Sequence, residues 1–147
     1  MGSLSAIVGS TVYLDTNILI YAVENVAGFG DRVRTIFERI DRAELRGVTS
    51  ELSLAELLVK PLREKQDAVR SECARLLHAG GPLVVLPISR DILVCSAELR
   101  AAHASLKLPD AIHAATAMLH GCTTFLTNDA RFEAVPGLPV LLLSNIK

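Results

Sequence analysis

The stretch VYLDTNILIYA, residues 12–22, decides the fold because a polar triplet divides an otherwise apolar run. The β-branched and aromatic residues before the triplet predict a short strand over roughly Thr11 to Leu14. ILIYAVE after it predicts a helix. An ionised carboxylate in an apolar interior costs several kcal/mol unless it is paired, solvated or bound to a metal. The polar residues at the junction, which are Asp15, Thr16 and Asn17, therefore need an explanation, either structural or functional.

Length and charge restrict the function classes. A chain of 147 residues, half of them hydrophobic, is most simply one domain that buries about two-thirds of the surface its unfolded chain exposes. Mean hydropathy is +0.39 and the pI is near 6.4. With 15 basic against 16 acidic side chains, the net charge of −1 argues against a broad basic surface for nucleic acid. It leaves open a nuclease that binds its substrate weakly and locally through metal ions.

The sequence carries no signal for a membrane or an oxidising compartment. No stretch approaches the roughly 20 apolar residues that span a bilayer, and MGSLSAIVGS is unlike a signal peptide. We therefore expect a cytoplasmic protein. The three cysteines are odd in number, far apart and in no CxxC arrangement, so they are interpreted as small core residues: Cys73, Cys95 and Cys122.

Strand-like and helix-like segments alternate through the rest of the chain. A helix over residues 31–47 is predicted to stop at Gly47, and a short strand follows around Val48 and Thr49. Pro61 is expected to end the next helix, in SELSLAELLVK. Beyond it we predict a helix over residues 67–78, a buried strand LVVLP, a helix ISRDILVCSAELRAAHASL, a helix opened by Pro109, a strand TTFLT, a short helix DARFEAV and a last strand PVLLL.

Acidic residues follow two of the predicted strands. Strands separated by helices predict a parallel sheet with helices on both faces, because right-handed crossovers place them there. Ligands in such folds bind beyond the carboxyl ends of the strands. Asp15 follows the first strand, and Asp129 follows the strand in TTFLTNDARF, so both are expected at the same edge. Helix N-capping is a sufficient explanation for either one alone.

A third acid, Asp110, lies one residue into the helix opened by Pro109. The helix dipole favours a carboxylate there by about 0.3–1 kcal/mol. At about 100° per residue, Asp110 shares a face with Ala114 and Ala117, which lets the helix approach its neighbour closely. A separate polar strip on this helix is interpreted as solvent-facing, and it consists of His113, Thr116 and His120.

The acid in TSELSLAELLVKPL is ambiguous from spacing alone. Ser53 and Glu56 match the S-x-x-E capping box, which gives Glu56 a purely structural interpretation. Glu51 is another possible first-turn acid. A helical projection places Ser53, Glu56 and Lys60 on a polar strip and directs the apolar residues inward, namely Leu54, Ala55, Leu58 and Val59.

Four segments together resemble the successive motifs of the PIN-domain ribonucleases, most closely the VapC-type toxins of toxin-antitoxin pairs: LDTNILIYA, TSELSLAELLVKPL, LPDAIHAATA and TFLTNDARF. The motifs stand in the family's order from about Val12 to Leu143. The resemblance implies a three-layer α/β/α fold with a five-stranded parallel sheet of order 3-2-1-4-5. We expect a single PIN domain over residues 1–147, with residues 1–10 as a flexible N-terminal extension.

The same resemblance assigns the family's four acids to Asp15, Glu56, Asp110 and Asp129, with Thr16, Thr127 and Asn128 as small polar neighbours. It favours Glu56 over Glu51. Carboxylates brought together repel, and an all-oxygen site suits Mg²⁺ or Mn²⁺. The implied activity is metal-dependent RNA hydrolysis that leaves 5′-phosphate and 3′-hydroxyl ends. Asp15 and Asp110 are expected as the first direct metal ligands, with Glu56 and Asp129 completing the site or acting through metal-bound water.

The implied partners are an RNA substrate, a protein antitoxin and a second copy of the chain in a homodimer. Arginines on one side of the long helix are candidates for contacts with RNA phosphates or an acidic antitoxin segment: Arg32, Arg39, Arg42 and Arg46. Pairing of Glu38 with Arg42 on a solvated face is the alternative explanation.

Other function classes fit the sequence less well. An aspartate-based phosphotransfer domain would use Asp15, but the matching phosphatases need a second Asp where Asn17 stands. Receiver domains need a lysine after a late strand, and none lies between Lys107 and Lys147. A non-catalytic PIN-like module is disfavoured because no acid is missing. Within the nuclease class, the alternative is an RNA-processing enzyme without an antitoxin.

Overall fold

Strands and helices alternate along the chain, as the sequence predicts. The computed structural model describes residue 7, residues 9–25 and residues 27–146. The strands are β1 Thr11–Leu14, β2 Arg46–Ser50, β3 Val84–Leu86, β4 Thr124–Thr127 and β5 Val140–Leu142. The α-helices are α1 Thr16–Glu24, α2 Gly30–Asp41, α3 Leu52–Arg63, α4 Asp67–Leu77, α5 Arg90–Ala102 and α6 Leu108–Leu119. Two 3₁₀ helices, Ala130–Ala134 and Leu143–Asn145, flank β5.

The five strands form one parallel sheet of order β3-β2-β1-β4-β5, which confirms the predicted fold. β1 is central, and Leu14 lies beside Leu126 of β4. Because the strand order reverses at β1, the carboxyl ends of β1 and β4 meet at the position where ligands bind in open α/β sheets. The order differs from the 2-1-3-4-5 of receiver domains, so the fold does not support that phosphotransfer alternative.

Side chains of β1 alternate between two hydrophobic cores. Val12 and Leu14 pack with α1, α2 and α4 on one face of the sheet. Tyr13 points to the other face and packs with the alanines of α6. This period of two is the pattern of a strand with both faces buried. The molecule therefore has the predicted three layers, with its helices on both faces of the sheet.

The second helix is shorter than predicted. α2 ends at Asp41 because Ala43 adopts a left-handed conformation with φ of 59°. Gly47, predicted as the helix stop, lies within β2 instead. A Cβ at Gly47 would lie only 2.6 Å from a methyl carbon of Leu83, so the glycine is required by close packing.

The arginines predicted on this helix do not all lie there. Arg46 is the first residue of β2. Arg39 and Arg42 each pair with Glu44 just beyond the helix, with nitrogen–oxygen distances of 3.3 Å. The structure therefore gives Arg42 a local partner, Glu44, other than the predicted Glu38.

The third helix differs from its prediction in its end and in its buried face. Pro61 lies inside α3, which continues to Arg63, because a proline in the last turn removes only one helical hydrogen bond. The buried face is formed by Ser53, Leu57 and Pro61. Ala55 and Val59, predicted to face inward, are exposed.

Smaller differences concern the later elements and the chain ends. β3 is half-buried because it is an edge strand. α5 ends at Ala102, so residues 103–107 form a loop. Cys73 and Cys122 are buried and Cys95 is partly buried. Of the predicted N-terminal extension, residues 1–6 and 8 lie outside the described residues, while Ile7 packs into the core. In the described chain, every helix is too short or too polar to cross a membrane.

Candidate active site

Asp15 occupies the junction between β1 and α1 and makes hydrogen bonds with both of its carboxylate oxygens. Oδ1 accepts from the Thr16 backbone N–H at 2.9 Å and caps α1. Oδ2 accepts from the Thr127 hydroxyl at 2.7 Å and from Asn17 Nδ2 at 3.2 Å. Asp15 is therefore a helix N-cap and also part of a polar site between β1 and β4. The two interpretations of this residue are compatible.

The carboxyl group of Asp15 is only 5% exposed. Burial raises its pKa, and the nearby Asp110 charge adds to the effect. The lowering influence of His113, Thr127 and the Thr16 N–H does not cancel it. A buried carboxylate with a raised pKa favours a nearby cation, since the cation stabilises the charged form.

The loop after β4 links Asp129 to Asp15 through Thr127. The Thr127 hydroxyl donates to Asp15 and accepts from the Asp129 backbone N–H at 3.1 Å. Asp129 Oδ1 accepts from the Arg131 N–H at 3.0 Å and caps the 3₁₀ helix Ala130–Ala134. Asn128 braces the loop, because its side chain accepts from Ser144 N–H and donates to the Tyr21 hydroxyl.

Glu56 reaches this edge of the sheet from α3. Its Oε1 accepts from the Thr16 hydroxyl at 2.8 Å and lies 2.6 Å from His113 Nε2. Burial alone would raise the pKa of Glu56, but these hydrogen bonds and the His113 charge outweigh burial and lower it. The capping box does not form, because Ser53 lies inside α3 and its hydroxyl contacts Thr16 and Thr49.

His113 is buried beneath the acids, so its predicted position on a solvent-facing strip is wrong. It is 1% exposed. Nδ1 lies 2.6 Å from the Tyr13 hydroxyl, and Nε2 lies 2.6 Å from Glu56. Thr116 is also buried and donates to the Ile112 carbonyl, while His120 is exposed. His113 is therefore a residue of the site that the sequence interpretation missed.

A sequence signal for the burial of His113 exists in α6 itself. The segment AIHAATA is apolar except for His113 and Thr116, and all seven residues from Ala111 to Ala117 are buried. A helix with apolar residues on nearly all sides is buried on nearly all sides. A histidine within such a segment is therefore expected to be buried with a hydrogen-bond partner.

Asp110 and Asp129 share one positively charged neighbour. The Arg131 guanidinium binds Asp129 through both oxygens, at 2.6–3.0 Å, and its Nη2 lies 3.7 Å from Asp110 Oδ2. Burial raises the pKa of Asp110 despite Arg131, and the charges of Asp129 and Glu56 contribute. Hydrogen bonds from Arg131 lower the pKa of Asp129.

All four predicted acids thus lie in one connected site at the carboxyl edge of the sheet. Thr16, Thr127, His113 and Arg131 join them through hydrogen bonds and ion pairs. Among the described residues, no three acidic, histidine or cysteine side chains are placed so that they could together hold one ion. The set of oxygen donors and their mutual repulsion nevertheless fit a hard divalent cation.

The PIN domain family model matches residues 12–138, from the second residue of β1 to the residue before Pro139. The chain belongs to the PIN domain family. The matched region of this PIN domain contains all four acids of the site. No curated protein sequence matches the chain significantly.

Solved structures similar to this PIN domain include toxin–antitoxin complexes. A toxin-antitoxin complex from Klebsiella pneumoniae is 26% identical, with a TM-score of 0.66 and coverage of 90% of this chain and 97% of that one. VapBC2 from Rickettsia felis is 20% identical, with a TM-score of 0.70 and coverage of 90% and 98%. VapC20 from Mycobacterium tuberculosis, described as a Sarcin-Ricin loop cleaving toxin, is 16% identical, with a TM-score of 0.66 and coverage of 85% and 95%.

Proposed function

We propose that this PIN domain is a divalent-metal-dependent endoribonuclease and the toxin of a toxin-antitoxin pair. The observation that carries the proposal is the placement of four acidic side chains at the carboxyl edge of one parallel sheet, where Arg131 and His113 are their basic neighbours in the described part of the chain. Such a site attracts divalent cations, and cations bring phosphodiesters to an otherwise acidic surface.

The metal is proposed to be Mg²⁺ or Mn²⁺, because the donors are carboxylate oxygens. Asp15 and Asp110 would hold it directly, with Glu56 and Asp129 completing the site. When bound, such an ion activates water for attack on the phosphodiester and stabilises the leaving oxygen.

The polar residues around the acids keep them in place. Thr127 holds one oxygen of Asp15, and Thr16 holds Glu56. His113 fixes the direction of the Glu56 carboxylate, because its Nε2 lies 2.6 Å from Glu56 Oε1, and its other ring nitrogen contacts the Tyr13 hydroxyl. Residues that orient metal-ligating carboxylates in this way are part of the chemistry, since their loss typically costs about 10–100-fold in metal affinity or activity.

The proposed partners are an RNA substrate, a protein antitoxin and a second copy of the chain. Similar folds occur in complexes named as toxin–antitoxin assemblies, and this supports the antitoxin. Purification of the chain from its native host tests this partner. A small protein that co-purifies and suppresses cleavage supports the toxin role, whereas an active nuclease recovered without such a partner supports an RNA-processing enzyme.

The catalytic proposal is tested by incubating tRNA, rRNA and mRNA pools with the protein. We expect cleavage with Mg²⁺ or Mn²⁺, none with excess chelator, and recovery when the metal is restored. Asp15→Asn and Asp110→Asn should each lose activity. Asp91→Asn is the matched control, because Asp91 is an exposed first-turn aspartate of α5 outside the site. Cleavage that survives chelation or both site substitutions would contradict the mechanism.

A further inference from the structure

A cavity of about 230 Å³ lies directly beside the acidic site. Asp110 forms part of its wall, and so does Arg131, whose guanidinium also contacts Asp129. The loop between α5 and α6, residues 103–107, contributes His103, Ser105 and Leu106 to the lining. When one part of a molecule binds at the acidic residues, the next group of that molecule could therefore extend into this cavity.

The lining of this cavity, which we call the side pocket, combines an apolar interior with polar groups at its rim. Leu106 and Val135 are buried and form apolar wall. His103 and Ser105 belong to the rim, together with Arg131. Pockets that enclose a whole small ligand measure about 300–1,000 Å³, so the side pocket suits one ring of a larger molecule.

The walls of the side pocket are held by hydrogen bonds. Arg100 Nε donates to the Leu106 carbonyl at 3.1 Å, and the Leu106 N–H donates to the His103 carbonyl at 3.0 Å. On the other wall, Asp129 caps the 3₁₀ helix that carries Ala134. Binding therefore does not have to order the walls of the pocket.

We propose that the side pocket binds one nucleobase of RNA, from a nucleotide adjoining the phosphodiester that is cleaved. The proposal rests on the nuclease function proposed above and adds a base-recognition site to it. A base offers a flat apolar face for the pocket interior and the His103 ring, and polar edges for Ser105 and Arg131. The positive charge of Arg131 also favours a ligand that carries a phosphate, such as the RNA backbone, over a small molecule without one.

The proposal accounts for base recognition in a protein with few aromatic side chains. Phe, Trp and Tyr make up 4% of the chain, and this composition does not favour an extended surface of aromatic rings for base stacking. Proteins recognise single-stranded RNA by enclosing its unstacked bases and stacking them on aromatic side chains, among them histidine. One preformed pocket next to the reacting bond can select one base without such a surface.

Two substitutions test the side pocket in the full-length protein. His103→Ala removes the ring at the rim, and Ala134→Leu fills the space from an exposed position of the 3₁₀ helix. The matched controls are His120→Ala, an exposed histidine at the far end of α6, and Ala74→Leu, an exposed alanine of α4. Unchanged thermal unfolding midpoints confirm that each variant is folded.

The first measurement is kcat/KM on short RNAs that vary the base on each side of the cleaved bond. We expect the unaltered protein to prefer one base at one position, and both pocket variants to reduce that preference by roughly tenfold, as expected for the loss of one stacked base. The controls should keep the preference. A protein without base preference, or pocket variants that retain it, would overturn the proposal.

A binding measurement separates this proposal from the nuclease function. Fluorescence anisotropy of a labelled RNA is recorded with Asp15→Asn protein, alone and combined with each pocket substitution. A roughly tenfold weaker affinity in both combined variants supports the side pocket even if the unaltered protein fails to cleave RNA, which would refute the nuclease function alone. Pocket variants that bind RNA normally but lose a co-purifying protein partner would overturn the RNA assignment.

Discussion

The two halves of the acidic site carry the same charges, but their basic partners lie in opposite surroundings. Asp15 and Glu56 form the inner pair, and Asp110 and Asp129 form the outer pair. Each pair contains one carboxyl with a raised pKa, because of burial, and one with a lowered pKa, because of a basic partner. The basic partner of the inner pair, His113, is 1% exposed, whereas the side chain of Arg131 is 64% exposed.

This difference shows which half of the site folding fixes. His113 is held between Tyr13 and Glu56 in the core, so the inner pair cannot exchange its partner without disturbing the packing of α6. Arg131 is a long side chain in solvent, and exposed ion pairs contribute only about 0–1 kcal/mol. We infer that Arg131 would give way readily if Asp110 and Asp129 held a divalent cation, while the inner pair would keep its geometry.

The largest expected effect comes from removing a charge of the inner pair. Asp15→Asn should lower RNA cleavage by more than about 100-fold, because loss of a metal-ligating group exceeds the loss of a residue that orients one. Asparagine is as good an N-cap as aspartate, so α1 should remain folded. Asp129→Asn should cost less, since Asp129 is already engaged by Arg131. Initial cleavage rates compare the two variants, and equal losses would contradict the difference expected between Asp15 and Asp129.

The second largest effect is expected at His113. His113→Leu leaves the buried Tyr13 hydroxyl without this partner and Glu56 without its orienting group. We expect metal affinity to fall by about 10–100-fold, and unfolding free energy to fall by about 1–3 kcal/mol. Calorimetric titration with Mn²⁺ alone and denaturant unfolding measure the two quantities.

Tyr13→Phe is the control that separates positioning from stability. It leaves the contact between His113 and Glu56 intact and removes only the hydroxyl beneath it. We expect a stability loss of similar size, about 1–3 kcal/mol, with metal affinity nearly unchanged. If Tyr13→Phe and His113→Leu weaken metal binding equally, His113 has a structural role only.

Most of the fold could be predicted because its signals are local. The alternation of apolar runs with helical periodicity determines the layers, and the polar break at Asp15 locates the end of the central strand. The sheet order came from the family resemblance, since residue patterns do not specify which strands pair. The predicted helix ends were wrong where the tertiary structure determines them. Gly47 lies in β2, close to Leu83, and Pro61 is accommodated in the last turn of α3.

The site was predictable only in part, for a related reason. Acids after strands are visible in the sequence because the sheet edge brings them together. His113 was assigned to solvent because its spacing with Thr116 and His120 resembles a polar strip. Its burial depends on Tyr13 and Glu56, which lie 100 and 57 residues away. Arg131 carries no pattern that distinguishes it from other surface arginines. Long-range partners of this kind are not encoded in local spacing.

A smaller effect is expected at Thr127, which connects the inner and outer pairs. Thr127→Val keeps the shape of the side chain but removes the hydrogen bonds to Asp15 and from the Asp129 N–H. The pKa of Asp15 should rise further, because this hydrogen bond lowers it. We expect roughly tenfold weaker Mn²⁺ binding, measured by calorimetry. Thr35→Val is the control, since Thr35 is a residue of α2 whose hydroxyl donates only to the Asp31 carbonyl. Equal Mn²⁺ affinity in Thr127→Val and the unaltered protein would show that the two pairs are independent.

The smallest and most informative effect is expected at Arg131. Arg131→Ala removes the cation that competes for Asp110 and Asp129, so Mn²⁺ should bind about two- to fivefold more tightly to the RNA-free protein, which corresponds to one exposed ion pair. RNA affinity should fall, because Arg131 also lines the side pocket. Arg75→Ala is the control, since Arg75 forms a similar exposed ion pair with Glu72 on α4. Tighter Mn²⁺ binding together with weaker RNA binding would show that the outer pair exchanges its own arginine for a metal. Weaker Mn²⁺ binding would mean that Arg131 organises the acids and that both halves of the site are fixed by folding.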